Sequence, residues 1–269
     1  MRVSATLPIA ARRTPTEQVP LRSRAVTRGL DEPPDLRAEA ERYAWYHSID
    51  LGDGVVTQGM FDHRPVLDHY PIPKDLTGKR CLDVATMDGY WAFEMERRGA
   101  SSVTAIDLDD PEELDWPASL RAGHDRTLDE TKAERFALAT RALGSSVERV
   151  TLSAYDLGPD LGRFDFVFCG DLLLHLKDPI TPVERIRSVC TGSAVIVNVI
   201  KRFRFRERVP LAELDGIDTF TWWTTNLEGL IRIVRTAGFA RVEAVEPFEL
   251  PYAGGGEWRG LRGAVHAFV

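Results

Sequence analysis

KRCLDVATMDGYWAFEMERRG, residues 79–99, is the most informative stretch of the chain. It predicts a short buried strand that ends near Asp83, a tight turn, and a helix that begins at Gly89. A second buried strand ends at Asp107, eighteen residues after Gly89. In parallel α/β sheets, a strand, a turn with glycine, a helix and an acidic residue ending the next strand form a nucleotide-binding site. The pattern therefore predicts an adenosine cofactor at the carboxyl ends of the strands.

The turn inside this stretch contains one glycine. It reads Ala85, Thr86, Met87, Asp88, Gly89, whereas a dinucleotide oxidoreductase has G-x-G-x-x-G so that the backbone can approach a pyrophosphate. Because the bulkier residues leave little room for a diphosphate, the turn favours an adenosine cofactor without phosphates. Hydride transfer from a dinucleotide is disfavoured for the same reason.

Strand and helix patterns alternate along the rest of the chain. The predicted strands are 80–84, 103–106, 150–152, 164–169 and 194–200, followed by an antiparallel pair at 241–245 and 263–269. The predicted helices are 35–46, 64–70, 89–98, 128–143, 182–189 and 227–237. This order predicts an α/β, Rossmann-like fold: a seven-stranded, mostly parallel sheet with helices on both faces and an antiparallel edge strand.

The chain is expected to have three segments. Residues 1–34 are predicted to be a mobile N-terminal tail, because their arginines surround no apolar centre of the kind that a secretory signal has. Residues 35–76 are predicted to be an N-terminal helical segment that forms a lid over the cofactor, although a helix end packed on the domain explains them equally well. Residues 77–269 form the predicted cofactor-binding domain, with a substrate lid around 201–226.

Composition excludes several classes of protein. The chain has 269 residues, 43% of them hydrophobic, and a net charge of −7. The negative charge disfavours a protein that holds nucleic acid through its phosphates, and no apolar run is long enough to span a membrane. Cys81, Cys169 and Cys190 lie apart in apolar stretches, which favours buried thiols in a cytoplasmic protein. No metal site is predicted, since the acidic run at 109–113 is explained by the start of a helix.

Residues at the ends of strands are candidates for binding an adenosine. Asp107 can accept hydrogen bonds from both ribose hydroxyls, although a capping aspartate is the alternative. Tyr155 and Asp156 follow the third predicted strand, where the carboxylate can accept from the adenine amino group while the ring is covered. The alternative for Asp156 is ordinary turn chemistry.

Candidates for a catalytic base come from two regions. Asp171 and His175 follow the fourth predicted strand, on the edge of the sheet where ligands bind. His47 belongs to the predicted lid and approaches from the other side. Either histidine can alternatively be a structural residue, and an oxygen acceptor benefits from a base.

Candidates for contacting a substrate lie in the two predicted lids. Tyr46 precedes His47, and KRFRFRER at 201–208 places Arg202 and Arg204 on one face of an extended segment. That face suits a phosphorylated or carboxylated acceptor, or alternatively only solvent. Further along, the aromatic and polar residues Trp222, Trp223 and Asn226 are candidates for the pocket wall, with a core position as the alternative.

Two motifs resemble a known family. LDVATMDG occupies the place of the L-D-V-G-x-G-x-G of class I S-adenosylmethionine-dependent methyltransferases, and FDFVFCGDLLLHLKDP is similar to that class's fourth-strand segment. WYHSIDLGDGVVTQG and TWWTTN resemble more narrowly the branch that includes the tRNA wobble-uridine carboxymethyltransferases. The class resemblance covers residues 79–200, and the branch resemblance adds 45–60 and 219–239. The class resemblance implies S-adenosylmethionine as the cofactor and a methyl transfer of the EC 2.1.1 type.

The resemblance also implies roles for individual residues. Asp83, Ala85 and Gly89 would line the methionine moiety, with Thr86 of the same turn also assigned to the cofactor. Asp107 and Leu108 would bind the ribose, and Tyr155 and Asp156 the adenine. Cys169 and Gly170 would lie near the sulfonium.

We therefore expect a methyltransferase that acts on a small molecule, at an oxygen of a sugar or secondary metabolite. Two alternatives stay open. One is a tRNA wobble-uridine-modifying methyltransferase, which the branch resemblance and the basic runs at 1–29 and 201–208 favour. The other is a catalytically inactive relative that binds a metabolite or a partner, which the altered turn would allow.

Overall fold

Apolar runs form the strands at the centre of the computed structural model, which describes residues 35–123, 125–204, 208–253 and 259–269. Within these residues the helices are α1 (Leu36–Ala40), α2 (Tyr90–Arg97), α3 (Thr127–Glu130), α4 (Lys132–Leu143), α5 (Thr181–Val189) and α6 (Leu227–Thr236). The strands are β1 (Trp45–His47), β2 (Gly59–Phe61), β3 (Arg80–Val84), β4 (Ser102–Asp107), β5 (Glu148–Thr151), β6 (Phe164–Gly170), β7 (Cys190–Val199), β8 (Ala212–Leu214), β9 (Trp223–Thr225), β10 (Arg241–Ala244), β11 (Phe248–Pro251) and β12 (Arg259–Phe268). The predicted tail, 1–34, lies outside the described residues.

The central sheet has the strand order β10-β12-β7-β6-β3-β4-β5. Strands β3 to β7 are parallel, and β12 is antiparallel to both β7 and β10. The predicted seven-stranded, mostly parallel sheet is confirmed. The antiparallel strand, however, lies one place in from the edge, because the chain turns back after β10 and inserts β12 between β10 and β7. Strand β11, which was not predicted, also pairs with β12.

Successive side chains along each strand point to opposite faces of the sheet and pack into two hydrophobic layers. Phe166 and Phe168 point into a layer that includes Trp91 of α2 and Phe136 of α4. Val167 and Cys169 of the same strand point into the other layer, which α5 and α6 cover. Helices therefore lie on both faces, as predicted. No helix in the described part of the chain is long and apolar enough to cross a membrane.

The helix predicted at 35–46 is wrong beyond its first turns. Helix α1 ends at Ala40, and β1 pairs in parallel with β2. The backbone N–H groups of Tyr46 and His47 donate to Oδ2 of Asp88, at 2.8 and 3.1 Å, so this segment is bound to the turn after β3 instead of continuing a helix. Gly59 permits the close pairing, because a Cβ there would lie 2.1 Å from the carbonyl carbon of His47.

Candidate active site

A cavity of about 320 Å³ lies at the carboxyl ends of the parallel strands. Nine of the residues predicted for the site line it: Tyr46, His47, Ala85, Asp107, Leu108, Tyr155, Gly170, Asp171 and His175. Ten others do not: Asp83, Thr86, Gly89, Asp156, Cys169, Arg202, Arg204, Trp222, Trp223 and Asn226. The structure thus brings residues from the ends of four strands, β3, β4, β5 and β6, and from the N-terminal segment to one place.

In the turn after β3, two residues other than glycine adopt the left-handed backbone conformation that favours glycine. Ala85 and Met87 both adopt left-handed conformations, with φ of 62° and 52°. The N–H groups of Ala85 and Thr86 donate to the carbonyl of Ile106, at 2.9 and 3.1 Å. These bonds tie the turn to β4 and hold two residues in a conformation that costs a residue with a Cβ about 1–2 kcal/mol. Ala85 and Met87, which stand where the motif has glycines, therefore adopt a backbone conformation that glycine adopts most readily.

Replacing Ala85 with glycine tests this geometry. We expect the free energy of unfolding to stay unchanged or to rise by up to about 1 kcal/mol, because relief of the left-handed strain offsets the added freedom of the unfolded chain. Urea denaturation followed by tryptophan fluorescence measures it. As a control, Ala142→Gly in α4 should lower stability by about 1 kcal/mol. An equal loss in Ala85→Gly would show that Ala85 is not strained.

Asp83 of β3 and two residues of the turn, Thr86 and Gly89, do not line the cavity. Asp83 is fully buried and accepts a hydrogen bond from Oγ1 of Thr86 at 2.7 Å. Its burial raises the pKa of the carboxyl to about 7. Gly89 begins α2 with φ of 95°, and a Cβ there would lie 2.5 Å from the ring of Phe93. These residues shape the floor of the site, and their direct contact with a cofactor stays a prediction.

Asp107, at the end of β4, faces the cavity and is already well bonded. Its carboxylate accepts from the N–H groups of Met87 and Leu108, both at 2.8 Å. It also accepts from the ammonium of Lys132 at 2.7 Å, and that ammonium lies 3.8 Å from Asp129. Sequence reasoning missed Lys132, although its spacing with Arg135 and Phe136 on the buried face of α4 was a signal. A buried cation in a predicted ribose site is an unexpected feature of this chain.

Asp88 holds the N-terminal segment onto the turn. It is fully buried, and besides the two backbone bonds from β1 its Oδ1 bonds to Nδ1 of His47. The guanidinium of Arg135, also fully buried, lies 3.7 Å from Oδ2. Burial opposes the charge on Asp88, but His47 and Arg135 together hold the pKa of this carboxyl below its usual value. His47, a predicted base, is thus held by Asp88 at the cavity wall.

The turn after β6 carries the other two predicted catalytic residues. Asp171 has φ of 48°, and its Oδ2 accepts from Nε of Arg262 at 2.7 Å. The Nδ1 of His175 donates to the backbone carbonyl of Phe220 and therefore carries a proton. Sequence reasoning missed Arg262, which lies on β12.

A buried pair of polar rings, missed by sequence reasoning, lies beside them. His63 bonds through Nδ1 to the hydroxyl of Tyr70 at 2.7 Å, and both rings line the cavity. Burial lowers the pKa of His63 well below its usual value and raises that of Tyr70. Both groups are therefore neutral near pH 7.

Three of the residues predicted to contact a substrate, Trp222, Trp223 and Asn226, make hydrogen bonds within the protein. Trp222 donates from Nε1 to the carbonyl of Asp115 at 2.5 Å, and Trp223 donates to the carbonyl of Lys177 at 3.0 Å. Asn226 accepts from the N–H of Gly229 at 2.8 Å and caps α6. Arg202, Arg204 and Asp156 are exposed outside the cavity. Their roles in binding stay predictions, and Phe220 is the residue of this segment that lines the cavity.

The sheet order, the strained turn and the acidic strand end define a Rossmann-like methyltransferase. The family model described as a methyltransferase domain matches residues 64–244, and the chain belongs to this family. This membership confirms the predicted methyltransferase class and agrees with S-adenosylmethionine as its cofactor. A search of curated proteins found no match.

Solved structures support the fold. The N-terminal domain of EvdMO1 with S-adenosylhomocysteine bound is 15% identical, with a TM-score of 0.55, and the match covers 87% of this chain and 95% of that domain. A second structure, of the longer EvdMO1 chain, is matched over only 46% of its length. An S-adenosylmethionine-dependent methyltransferase from Listeria monocytogenes is 15% identical, with a TM-score of 0.50 and coverage of 77% and 96%. At such low sequence identities, these matches show a shared fold alone.

Proposed function

We propose that the chain is an S-adenosylmethionine-dependent methyltransferase that methylates an oxygen of a small molecule. The observation that carries the proposal is the charge of the cavity. Five carboxylates line it against one ammonium: Asp107, Glu113, Asp115, Asp129 and Asp171 against Lys132. An anionic wall suits a cationic sulfonium, and the size of the cavity falls at the lower end for ligand pockets.

The residues present fit such a cofactor. Asp107 and the adjacent Leu108 would hold the ribose, with Lys132 sharing the carboxylate. Tyr155, whose hydroxyl donates to Asp115 at 2.7 Å, would cover the adenine. Ala85 and Gly170 would approach the methionine end, which would carry a methyl group on a cationic sulfur. The chain's part in transfer is to align the acceptor with that methyl and to exclude water.

The cavity favours a small acceptor with a ring, because part of its lining is aromatic. Its wall includes Tyr46, Tyr70, Trp91 and Phe168, and the rings of Trp91 and Phe168 lie 4.3 Å apart. Such walls bind sugars and aromatic secondary metabolites by stacking. The N-terminal domain of EvdMO1 was also solved with S-adenosylhomocysteine and D-fucose, at 14% identity and a TM-score of 0.54, which supports a sugar.

A tRNA uridine is the second candidate acceptor. Exposed Lys201, Arg202 and Arg204 favour it, because they form a basic run outside the cavity that could meet phosphates. It predicts binding of bulk tRNA that weakens steeply with salt. Absence of binding at low salt would remove this candidate.

Calorimetry and thermal shift with S-adenosylmethionine and S-adenosylhomocysteine test the proposed function. We expect both to bind and to raise the melting temperature by about 5 °C at a hundredfold excess over Kd, while NAD gives no shift. No heat and no shift with either would refute a methyltransferase. Binding without turnover on sugars, phenols or tRNA would support the inactive relative.

A further inference from the structure

We propose that the acceptor is a neutral, hydroxyl-bearing molecule whose reacting hydroxyl binds Oδ1 of Asp171, and that Arg262 is the residue that positions this carboxylate. The proposal rests on the proposed function and names the substrate class of the same cavity. Four observations carry it: the fixed geometry of Asp171, the state of its Oδ1, the charges of the wall, and the aromatic rings beside it.

Asp171 is held in a single orientation. Its N–H donates to the carbonyl of Val197 at 2.9 Å, and its φ of 48° is one that residues with a Cβ adopt only when their surroundings impose it. Oδ2 accepts from Nε of Arg262, whose side chain is 1% exposed. The guanidinium of Arg262 also lies over the ring of Phe61, 5.5 Å from its centroid. One carboxylate oxygen is thus fixed by an arginine from β12.

The other oxygen of this carboxylate, Oδ1, can accept a hydrogen bond from a ligand. Oδ1 of Asp171 is buried, and no described residue hydrogen-bonds to it. A buried carboxylate oxygen without a donor is costly, so native proteins keep one where a ligand or water completes it. Because Asp171 lines the cavity, a hydroxyl of the acceptor can supply that hydrogen bond.

The charges around Asp171 select against anionic acceptors. The cavity wall carries more carboxylates than cations, and the guanidinium of Arg262 is already paired with Asp171. Burial, followed by the charge of Asp171, raises the pKa of the Tyr46 hydroxyl, so this group remains a neutral donor. The exposed Arg202 and Arg204, predicted to bind an anionic acceptor, lie outside the cavity. A phosphate or carboxylate here would face like charge, because the ammonium of Lys132 is already paired with Asp107 and the guanidinium of Arg262 with Asp171.

The same carboxylate can take the proton of the reacting hydroxyl. With the cofactor bound, the acceptor oxygen would form its bond to the methyl carbon as the carbon–sulfur bond breaks and leaves a neutral thioether, and Asp171 would accept the hydroxyl proton. The aromatic rings of Tyr70 and Trp91, with centroids 4.5 Å apart, form the adjacent wall against which a ring stacks. Arg262 does not contact the acceptor in this scheme but sets where Oδ1 lies.

The test uses matched pairs of probes that differ by a CH₂OH or a carboxylate: D-galactose with D-galacturonate, and 4-hydroxybenzyl alcohol with 4-hydroxybenzoate. They are titrated calorimetrically into the protein saturated with S-adenosylhomocysteine. We expect at least one neutral member to bind, at least tenfold more tightly than its carboxylate partner, because the latter faces Asp171. Asp171→Asn should shrink this ratio below about threefold, because it removes the charge.

Three variants separate positioning from a general loss of structure. Arg262→Gln should weaken the neutral probe at least tenfold and leave the Kd of S-adenosylhomocysteine within about twofold, and Arg262→Lys should recover part of the loss. Arg241→Gln, on the exposed end of β10, is the matched arginine control and should change neither.

Several outcomes overturn the proposal. These are a carboxylate probe that binds as well as its neutral partner, an Arg262→Gln variant that keeps the neutral probe, and a protein that binds S-adenosylhomocysteine but no neutral probe at about 20 mM. Failure to bind S-adenosylhomocysteine would instead refute the proposed function.

Discussion

Asp107→Ala is expected to weaken the binding of S-adenosylhomocysteine by more than tenfold, an effect of at least about 1.4 kcal/mol. The change removes the carboxylate that would accept from the ribose hydroxyls. It also removes the acceptor that fixes the N–H groups of Met87 and Leu108, so the turn and the end of β4 lose their junction. Finally, it leaves the buried ammonium of Lys132 without its nearest counter-charge, since Asp129 is 3.8 Å away. Calorimetric titration measures the change.

Two further variants separate these contributions. In Asp107→Ala/Lys132→Met the ammonium is removed as well, so any affinity that returns belongs to the stranded ammonium, and the remaining loss belongs to the ribose contact together with the lost junction between the turn and β4. Asp160→Ala, an exposed aspartate outside the cavity, controls for loss of one negative charge. Near-native affinity in Asp107→Ala would show that the ribose is bound elsewhere.

Asp88→Ala is expected to destabilise the protein by about 3–5 kcal/mol, the range for removing one partner of a buried ion pair. Asp88 accepts two backbone hydrogen bonds from β1 and one from the ring of His47, and Arg135 would stay buried beside the gap. Urea denaturation measures stability. Hydrogen exchange should show that the amides of Tyr46 and His47 lose their protection first.

The pH dependence of the same carboxylate has a definite sign. Because its pKa in the folded protein lies below the ordinary value of 3.8, the stabilisation is complete above that value and is lost as the pH falls through the folded pKa. Asp88→Ala should therefore cost less at pH 3 than at pH 7. Asp62→Ala, which breaks an ion pair with partly exposed Arg64, is the control and should cost at most about 1 kcal/mol. A similar loss in both variants would contradict the anchoring role of Asp88.

Local patterns in the sequence were sufficient to predict the sheet and part of the cavity lining. Strand β3 has the predicted bounds, and Asp107 ends β4 as its place in an apolar run required. Because the carboxyl ends of parallel strands meet along one edge, the sequence alone predicted that Asp107, Tyr155 and Asp171 lie close together. Each of these inferences uses residues that are neighbours along the chain or ends of successive strands.

The features that were missed depend on distant pairs. The backbone of Tyr46 is bound by a carboxylate 42 residues later, which overrides the helical spacing of 35–46. Asp171 and Arg262 are 91 residues apart, and Asp107 and Lys132 are 25 apart. Periodicity reports which face of an element is apolar, but it does not identify the partner of a buried charge. Arg262, and the pairing of Lys132 with Asp107, therefore became visible only with the fold.

The anchoring of β1 by Asp88 would make binding of the proposed cofactor and binding of the proposed acceptor interdependent. Met87 of the turn and Tyr46 of β1 both line the cavity, and Asp88 joins the segments that carry them. A ligand that orders one segment lowers the entropic cost of ordering the other. Thermodynamic reciprocity then requires the factor by which the cofactor tightens the acceptor to equal the factor by which the acceptor tightens the cofactor. An acceptor screened without the cofactor would be scored as weaker than it is.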